Sequence, residues 1–210
     1  MDGADAVRYV LQNNIEGDLV ECGVMEGTYE IIWIQELKHQ QQERDIWLFD
    51  TFEGLTEPGQ FDYSCEGGVS QMSRDEVYNT WKSMNTGEGH NHWCYCPLEK
   101  VKSNLFATGY PEDKVHFVKG DVMVTLTLDN NLPEKIAILR LDTDWYESSL
   151  FELLKLYDRV VEGGVIIFDD YFQWNGQRKA TDEFLATTGI DYHVEPIGQG
   201  QRGSIIKRSV

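Results

Sequence analysis

The sequence predicts an α/β fold: a parallel sheet with helices on both faces, closed by a C-terminal antiparallel hairpin. Five apolar runs lack polar alternation, which is typical of parallel strands that are buried on both faces. Segments with helical spacing lie between these runs, as they do in βαβ units. After the last predicted helix, two short strand-like segments at 191–197 and 203–208 flank a glycine-rich turn at 198–202, which indicates the hairpin.

The first half of the sheet is predicted from one βαβ unit. A short helix at 4–13 precedes the apolar run DLVECG (residues 18–23), which ends in a turn. The apolar residues of segment 27–38 recur at helical spacing, and DIWLFD (residues 45–50) is a second apolar run that ends in an acid. A strand, a helix and a strand in this order favour parallel pairing.

The later elements continue the alternation, but a long insertion precedes them. They are a helix at 98–107, strands at 115–121 and 136–142, a helix at 149–160, a strand at 163–170 and a helix at 177–186. Glycines and polar residues dominate segment 51–96, which contains one helical patch at 73–84. Because loops of this length tend to be lids or binding loops, we predict one domain over residues 1–210 with a lid or substrate insertion at about 51–96.

The charge balance limits the classes of partner. Eighteen Lys and Arg residues stand against thirty-six Asp and Glu residues, for a net charge of −18. A surface this negative repels phosphate backbones and anionic lipids, so we expect neither a nucleic acid nor a membrane as partner. Small polar molecules and cations fit the charge, and a homo-oligomer stays an open alternative.

The N-terminus and the cysteines suggest a cellular compartment. The first ten residues contain neither the basic region nor the apolar region of a secretory signal. No apolar run approaches the roughly 20 residues that a membrane-spanning helix needs. Four cysteines in 210 residues do not suggest a disulfide framework. We therefore expect a cytoplasmic protein with reduced thiols.

The first strand ends in E-C-G-V-M-E-G (residues 21–27), at the edge where doubly wound sheets bind ligands. A dinucleotide fingerprint would have glycine in place of Met25, because that glycine admits a pyrophosphate. Gly23 allows a close approach of the backbone to a ligand, although a glycine here also fits an ordinary turn. The pattern suits a ligand without phosphates, such as S-adenosylmethionine, whose cationic amine and sulfonium favour acids such as Glu21 or Glu26.

The next two strand ends offer further contacts for a nucleoside. Asp50 ends the second strand, twenty-nine residues after Glu21, where an acid can accept both ribose hydroxyl groups. The alternative is that Asp50 caps the segment that follows. Gly120 and Asp121 close the third strand, where an adenine ring would lie, and a plain turn explains these two residues equally well.

Three acids at the last two parallel strand ends predict a metal site. Asp142 closes the fourth strand, and Asp169 and Asp170 close the fifth, with one crossover helix between them. Carboxylates gathered at one edge repel one another unless a cation neutralises them, and Mg²⁺ prefers oxygen ligands. The alternative, that Asp169 or Asp170 caps the next helix, does not explain Asp142. Asp142 is also the best-placed general base for a substrate hydroxyl, and Asp144 is the second candidate.

Five segments in order along the chain resemble the macrocin O-methyltransferase family. They are V-E-C-G-V-x-E-G, L-F-D-T-F-E-G-L, F-V-K-G-D-V, L-R-L-D-T-D-W-Y-E-S-S and G-G-V-I-I-F-D-D-Y. The resemblance implies a Rossmann-like class I methyltransferase fold with S-adenosylmethionine and Mg²⁺ as cofactors. It matches the family's metal-binding acids to Asp142, Asp169 and Asp170, and its base to Asp142. Four residues fall where that family binds its cofactor: Glu21, Gly23, Asp50 and Asp121.

The resemblance implies methylation of a sugar hydroxyl on an antibiotic. We therefore expect an S-adenosylmethionine- and Mg²⁺-dependent O-methyltransferase that acts on a hydroxyl of a small molecule. The favoured acceptor is a sugar of a natural product. One alternative is a catechol-type O-methyltransferase, and another is a non-catalytic module that binds S-adenosylmethionine. The three acids argue against a mere binder. Two departures from the family are the short segment of about seventeen residues before the first strand and the unmatched segment 58–96.

The insertion also contains HNHWCYC (residues 90–96), in which histidines and cysteines alternate. One interpretation is a zinc site, but the spacing lacks the gap of two to four residues in ordinary zinc knuckles. The other interpretation is a loop edge that happens to contain these residues, which the spacing favours. His90 and His92 are further candidate bases, although a lone loop histidine is more often solvated.

Overall fold

The computed structural model describes residues 1–128, 132–198 and 200–209. Its sheet has seven strands: β1 (Asp18–Cys22), β2 (Ile46–Asp50), β3 (Val115–Lys119), β4 (Ile136–Leu141), β5 (Val160–Phe168), β6 (Glu195–Ile197) and β7 (Arg202–Ile206). The strand order is β3-β2-β1-β4-β5-β7-β6. The first five strands are parallel, and β7 runs antiparallel to both β5 and β6. The predicted parallel sheet and its closing hairpin are confirmed.

The helices are α1 (Gly3–Gln12), α2 (Thr28–His39), α3 (Arg74–Met84), α4 (Leu98–Phe106), α5 (Val122–Thr125), α6 (Tyr146–Leu156) and α7 (Asn175–Thr187). Short 3₁₀ turns lie at Glu112–Lys114 and Tyr157–Arg159. Side-chain caps mark the first residues of two of these helices, α1 and α3. Asp2 accepts from the backbone N–H of Gly3, and Ser73 and Glu76 form a reciprocal capping box at α3. None of the helices within the described ranges is long and apolar enough to span a membrane.

The sheet separates two hydrophobic cores, which explains why its strands are apolar on both faces. Helices α1, α2 and α4 cover one face, and α5, α6 and α7 cover the other. The neighbouring residues Leu19 and Val20 of β1 are both fully buried, and they belong to opposite cores. The predicted helices on both faces are therefore confirmed.

The predicted boundary between the helix at 149–160 and the strand that follows it is wrong. The helix expected at 149–160 ends at Leu156, and β5 already begins at Val160 rather than at Gly163. Val160 pairs with Ile136 of β4, and Lys207 Nζ donates to the Val160 carbonyl at 2.7 Å. Sheet pairing outweighs the helical pattern at this point. In the hairpin, β6 is shorter than expected, and Gln199 of the predicted turn lies outside the described residues.

The 51–96 insertion packs against the loops that follow β4 and β5. Val77, Trp145 and Trp174 form a third buried cluster, with three partly buried residues around it: Leu55, Met72 and Trp93. The indole N–H of Trp145 donates to the Thr56 carbonyl at 2.9 Å. The Cys65 N–H donates to the Gln173 carbonyl at 2.8 Å. These tryptophans are therefore packing residues that attach the insertion to the sheet.

Two backbone segments approach each other closely where β1 and β4 end. Gly23 has a positive φ of 84°, and a Cβ on this residue would lie 2.0 Å from the Asp142 carbonyl oxygen. The Asp142 N–H donates to the Cys22 carbonyl at 2.8 Å. Glycine is thus required at position 23, because the backbone that follows the neighbouring strand β4 occupies the space of a side chain. The contact sets the position of Asp142 relative to the first turn.

Replacing Gly23 by alanine should lower the free energy of unfolding by about 2–5 kcal/mol, from left-handed strain plus steric overlap. The matched control is Gly67→Ala, because Gly67 has the same φ of 84° but open space around it. That control should cost about 1–2 kcal/mol from strain alone. Equilibrium denaturant unfolding measures both values. Equal losses in the two variants would contradict the steric explanation.

Candidate active site

A cavity of about 920 Å³, including space open to solvent, lies at the carboxyl ends of the parallel strands. Its wall contains seven of the nine predicted site residues: Gly23, Asp50, Gly120, Asp121, Asp142, Asp169 and Asp170. β1 and β4 are adjacent at the point where the strand order reverses, which is where open α/β sheets bind ligands.

The other two predicted residues, Glu21 and Glu26, do not line this cavity. Glu21 is only 1% exposed, and its carboxylate pairs with the guanidinium of Arg140 below the cavity floor. Glu26 is exposed, and its carbonyl accepts from the side-chain amide of Asn104 at 2.9 Å. Their proposed contacts with the cofactor stay predictions.

Asp50 organises the turn after β1. Its Oδ2 accepts from the backbone N–H groups of Val24 at 2.6 Å and Met25 at 3.3 Å. Its Oδ1 accepts from the Phe52 N–H at 2.6 Å, which forms an Asx turn. Burial raises the pKa of Asp50, while these backbone donors lower it. Asp50 therefore lies on the cavity wall and holds two neighbouring turns, and it caps no helix, because none begins in the described segment between β2 and α3.

Gly120 and Asp121 form the turn that follows β3, and this turn is part of the cavity wall. The Gly120 N–H donates to the Asp50 carbonyl at 2.9 Å, which joins the ends of β2 and β3. Asp121 Oδ1 accepts from the Met123 N–H at 2.8 Å and caps the short helix α5. This helix was absent from the sequence prediction because a single turn has too few residues for a periodic pattern.

The three predicted metal ligands converge. Asp142, Asp169 and Asp170 each offer one carboxylate oxygen, and these oxygens lie within 4.8 Å of one another. Asp142 and Asp169 are partly exposed to the cavity, and Asp170 is intermediate to buried. An oxygen-only donor set of this kind fits Mg²⁺.

Arg140 lies among these acids and was not identified from the sequence. It is a buried residue of β4, and its Nη1 lies 2.8 Å from Asp142 Oδ2 while its Nη2 lies 2.6 Å from Asp169 Oδ1. Nη1 also contacts Glu21, and the guanidinium stacks 3.8 Å from the ring centroid of Tyr29. The sequence did contain a signal for it, since Arg140 is the single charged residue of the apolar strand IAILRL. An arginine that is buried in a strand requires acidic partners.

The acids outnumber the cation that faces them. Burial raises the pKa of Asp142 and Asp170 well above the ordinary range, and it raises the pKa of Asp144 to about 8. Arg140 acts in the opposite direction on the pKa of Asp142, whereas the charge of Asp142 raises the pKa of Asp144 further. Additional positive charge at this site would therefore favour the ionised carboxylates.

The insertion supplies the opposite wall of the cavity, through Thr51, Gly54, Leu55, Thr56 and Cys94. His90 and His92 are not among the lining residues. Their role as bases stays a prediction that the cavity geometry does not favour.

Replacing Arg140 by methionine should lower the free energy of unfolding by about 3–5 kcal/mol, because buried carboxylates lose their cation. Denaturant unfolding at neutral pH measures the change. The control is Lys119→Met: Lys119 Nζ lies 2.9 Å from Glu53 Oε1, and both side chains are half exposed. Loss of this surface pair should cost less than about 1 kcal/mol. A similarly small loss for Arg140→Met would show that the buried ion cluster is not stabilising.

Comparisons with known proteins place the chain in a family. The profile of the family described as Macrocin-O-methyltransferase (TylF) matches residues 2–201. The 8-demethyl-8-(2,3-dimethoxy-alpha-L-rhamnosyl)-tetracenomycin-C 4'-O-methyltransferase of Streptomyces olivaceus is 33% identical over 194 residues, which are 92% of this chain and 66% of that protein. The demethyldecarbamoylnovobiocin O-methyltransferase of Streptomyces niveus is 30% identical over 188 residues, 88% of this chain and 64% of that protein.

Solved structures agree with this assignment. The O-methyltransferase NovP has a TM-score of 0.80 at 27% identity, covering 99% of this chain and 78% of that chain. The calicheamicin methyltransferase CalS11 has a TM-score of 0.69 at 20% identity, covering 97% of this chain and 76% of that chain, and it shares the fold. The chain spans about two thirds of the length of the curated relatives it matches. With a Rossmann-like class I methyltransferase fold and a profile match over nearly all its residues, the chain belongs to the macrocin O-methyltransferase family.

Proposed function

We propose that this protein is an S-adenosylmethionine- and Mg²⁺-dependent O-methyltransferase that acts on a hydroxyl of a small molecule, with a sugar of a natural product as the substrate class. One observation carries the proposal. Three converging carboxylates line the same cavity as the strand-end turns that are expected to bind the cofactor. The membership of the family supports it.

On the cofactor side, the turns after β1, β2 and β3 form one continuous wall. Gly23, Asp50 and Gly120 are joined through backbone hydrogen bonds, because the Gly23 N–H donates to Phe49 and the Gly120 N–H to Asp50. S-adenosylmethionine supplies a methyl group on a sulfonium when it is bound here. We assign its ribose to Asp50 and its adenine to the turn at Gly120 and Asp121.

On the acceptor side, Asp142, Asp169 and Asp170 would hold Mg²⁺. Once bound, the ion would supply a Lewis acid that lowers the pKa of the acceptor hydroxyl. Asp142 takes the hydroxyl proton as general base, and Arg140 Nη1, 2.8 Å from its Oδ2, orients that carboxylate before substrate binds. Because the Asp142 backbone also contacts Gly23, the base lies between the two halves of the site.

The insertion is proposed to close the site against water and to contact the acceptor. Leu55, Thr56 and Cys94 of this segment line the cavity together with the acids. The Streptomyces olivaceus relative is named for a rhamnosyl-tetracenomycin substrate, which makes rhamnosides the first acceptors to test.

The deciding experiment incubates the purified protein with methyl-labelled S-adenosylmethionine and either rhamnosides or catechols, with Mg²⁺ or with excess chelator. We expect label on a sugar hydroxyl in Mg²⁺ only. Label on the catechols alone would replace the sugar acceptor by the catechol-type alternative. Cofactor binding without transfer to any acceptor would indicate the non-catalytic module.

Asp50→Ala should weaken binding of S-adenosylmethionine by about 1–3 kcal/mol, because charge-assisted hydrogen bonds to the ribose are lost. Isothermal calorimetry measures the affinity. The control is Asp45→Ala at the opposite end of the same strand, where Asp45 pairs with Lys114 and His116. The control should bind the cofactor like the parent. Unchanged affinity in Asp50→Ala would rule out the ribose contact.

Asp169→Asn should remove most turnover while the affinity for S-adenosylhomocysteine changes little, because the metal faces the acceptor. Asp142→Asn should lower kcat by about 100-fold or more, since it loses a ligand and the base together. The control is Asp113→Asn, an exposed acid in the 3₁₀ turn before β3. Steady-state kinetics and cofactor calorimetry separate the two effects.

Excess chelator should abolish turnover of the parent enzyme, and added Mg²⁺ should restore it. The metal hypothesis fails if the parent is fully active in excess chelator. It also fails if Asp142→Asn is as fast as the parent.

A further inference from the structure

A second group of potential metal ligands lies outside the cavity, in the loop after α3. Glu88, His90 and His92 each offer one ligand atom, and these atoms lie within 4.8 Å of one another. None of the three lines the cavity that contains the aspartates. The proposed methyl transfer therefore makes no use of them.

The backbone of this loop is held in place from both sides. Asn85 and Asn91 form an antiparallel bridge at its base, and the His92 N–H donates to the Met84 carbonyl at 2.9 Å. Asn91 is buried, its side-chain amide donates to the Trp81 carbonyl at 2.8 Å, and its N–H donates to the Glu53 carbonyl at 2.7 Å. The anchored Asn91 lies between the two histidines, so both imidazoles project from a fixed segment.

Aromatic contacts orient the two rings. His90 stacks on Tyr95 with 4.2 Å between ring centroids and 18° between planes. The His92 ring lies 4.6 Å from the His90 ring at 78°. Ring positions held in this way reduce the conformational entropy that metal binding must remove.

The third ligand has room to adjust. Zinc bonds to imidazole and carboxylate are about 2.0–2.2 Å long, so the ligands must move slightly inward from their separation here. Gly87 and Gly89 flank Glu88, both have positive φ, and both are surrounded by open space. This glycine pair gives Glu88 the backbone freedom to approach the two histidines.

The donor set differs in kind from the aspartate cluster. Two imidazoles and a carboxylate suit Zn²⁺ and related transition-metal ions, whereas carboxylates alone suit Mg²⁺. We propose that Glu88, His90 and His92 form a Zn²⁺ site that is separate from the catalytic acids. The bound ion ties the loop tip to the segment that leads through Trp93 to Cys94 on the cavity wall.

The test titrates Zn²⁺ into untagged protein in excess Mg²⁺, so that oxygen-only sites are occupied, and follows binding by calorimetry. Co²⁺ absorption spectra give an independent readout of the nitrogen ligands. We expect one Zn²⁺ per chain, and we expect His90→Ala or His92→Ala to weaken binding by at least about tenfold. Zn²⁺ should also raise the melting temperature of the parent but not of these variants.

Two controls identify the ligands. His193→Ala removes a histidine outside the cluster, and Asp169→Asn removes an acid of the cavity, and both should bind one Zn²⁺ like the parent. The proposal is overturned if folded parent protein binds no Zn²⁺ under these conditions. It is equally overturned if both histidine variants bind Zn²⁺ as the parent does, or if Asp169→Asn abolishes binding.

Discussion

The site depends on one buried cation. Arg140 contacts Glu21, Asp142 and Asp169 from the carboxyl end of β4, and it stacks on Tyr29 of α2. Without this guanidinium, three carboxylates would face a low-dielectric interior with no permanent partner. Its planar fork of donors suits several carboxylates at once, which a lysine ammonium would not. The arginine therefore permits acids to be gathered under the cavity in a chain that must also fold.

The same cation is insufficient to neutralise the acids that line the cavity. Asp142, Asp144 and Asp170 all have raised pKa values, chiefly through burial. Such a site favours the entry of further positive charge, which agrees with the proposed Mg²⁺ and with a cationic cofactor. The fixed arginine and the exchangeable ion thus have different tasks: one maintains the fold of the site, and the other would activate the acceptor.

Backbone contacts link the two halves of the site as firmly as the charges do. Gly23 lies against the Asp142 carbonyl, so the first turn and the proposed base cannot move independently. Asp50 holds the same turn through the N–H groups of Val24 and Met25. In-line transfer between a methyl donor and a hydroxyl requires this kind of positional precision. The insertion adds the opposite wall, and its tryptophan cluster attaches it to the loops that carry the acids.

The sequence by itself determined the sheet, the order of its elements and the three acids at neighbouring strand ends, because apolar periodicity and position after a strand are local properties. It also indicated the end of β2 as an acid site, but not that Asp50 would accept from Val24 and Met25 in the turn after β1. Only the tertiary structure decided that Glu21 faces Arg140 and that β5 begins at Val160. Both outcomes follow from strand register, which pairs Glu21 with Arg140 and Val160 with Ile136 across the sheet. Register joins residues more than a hundred positions apart in the first case, and no local pattern specifies such a partner.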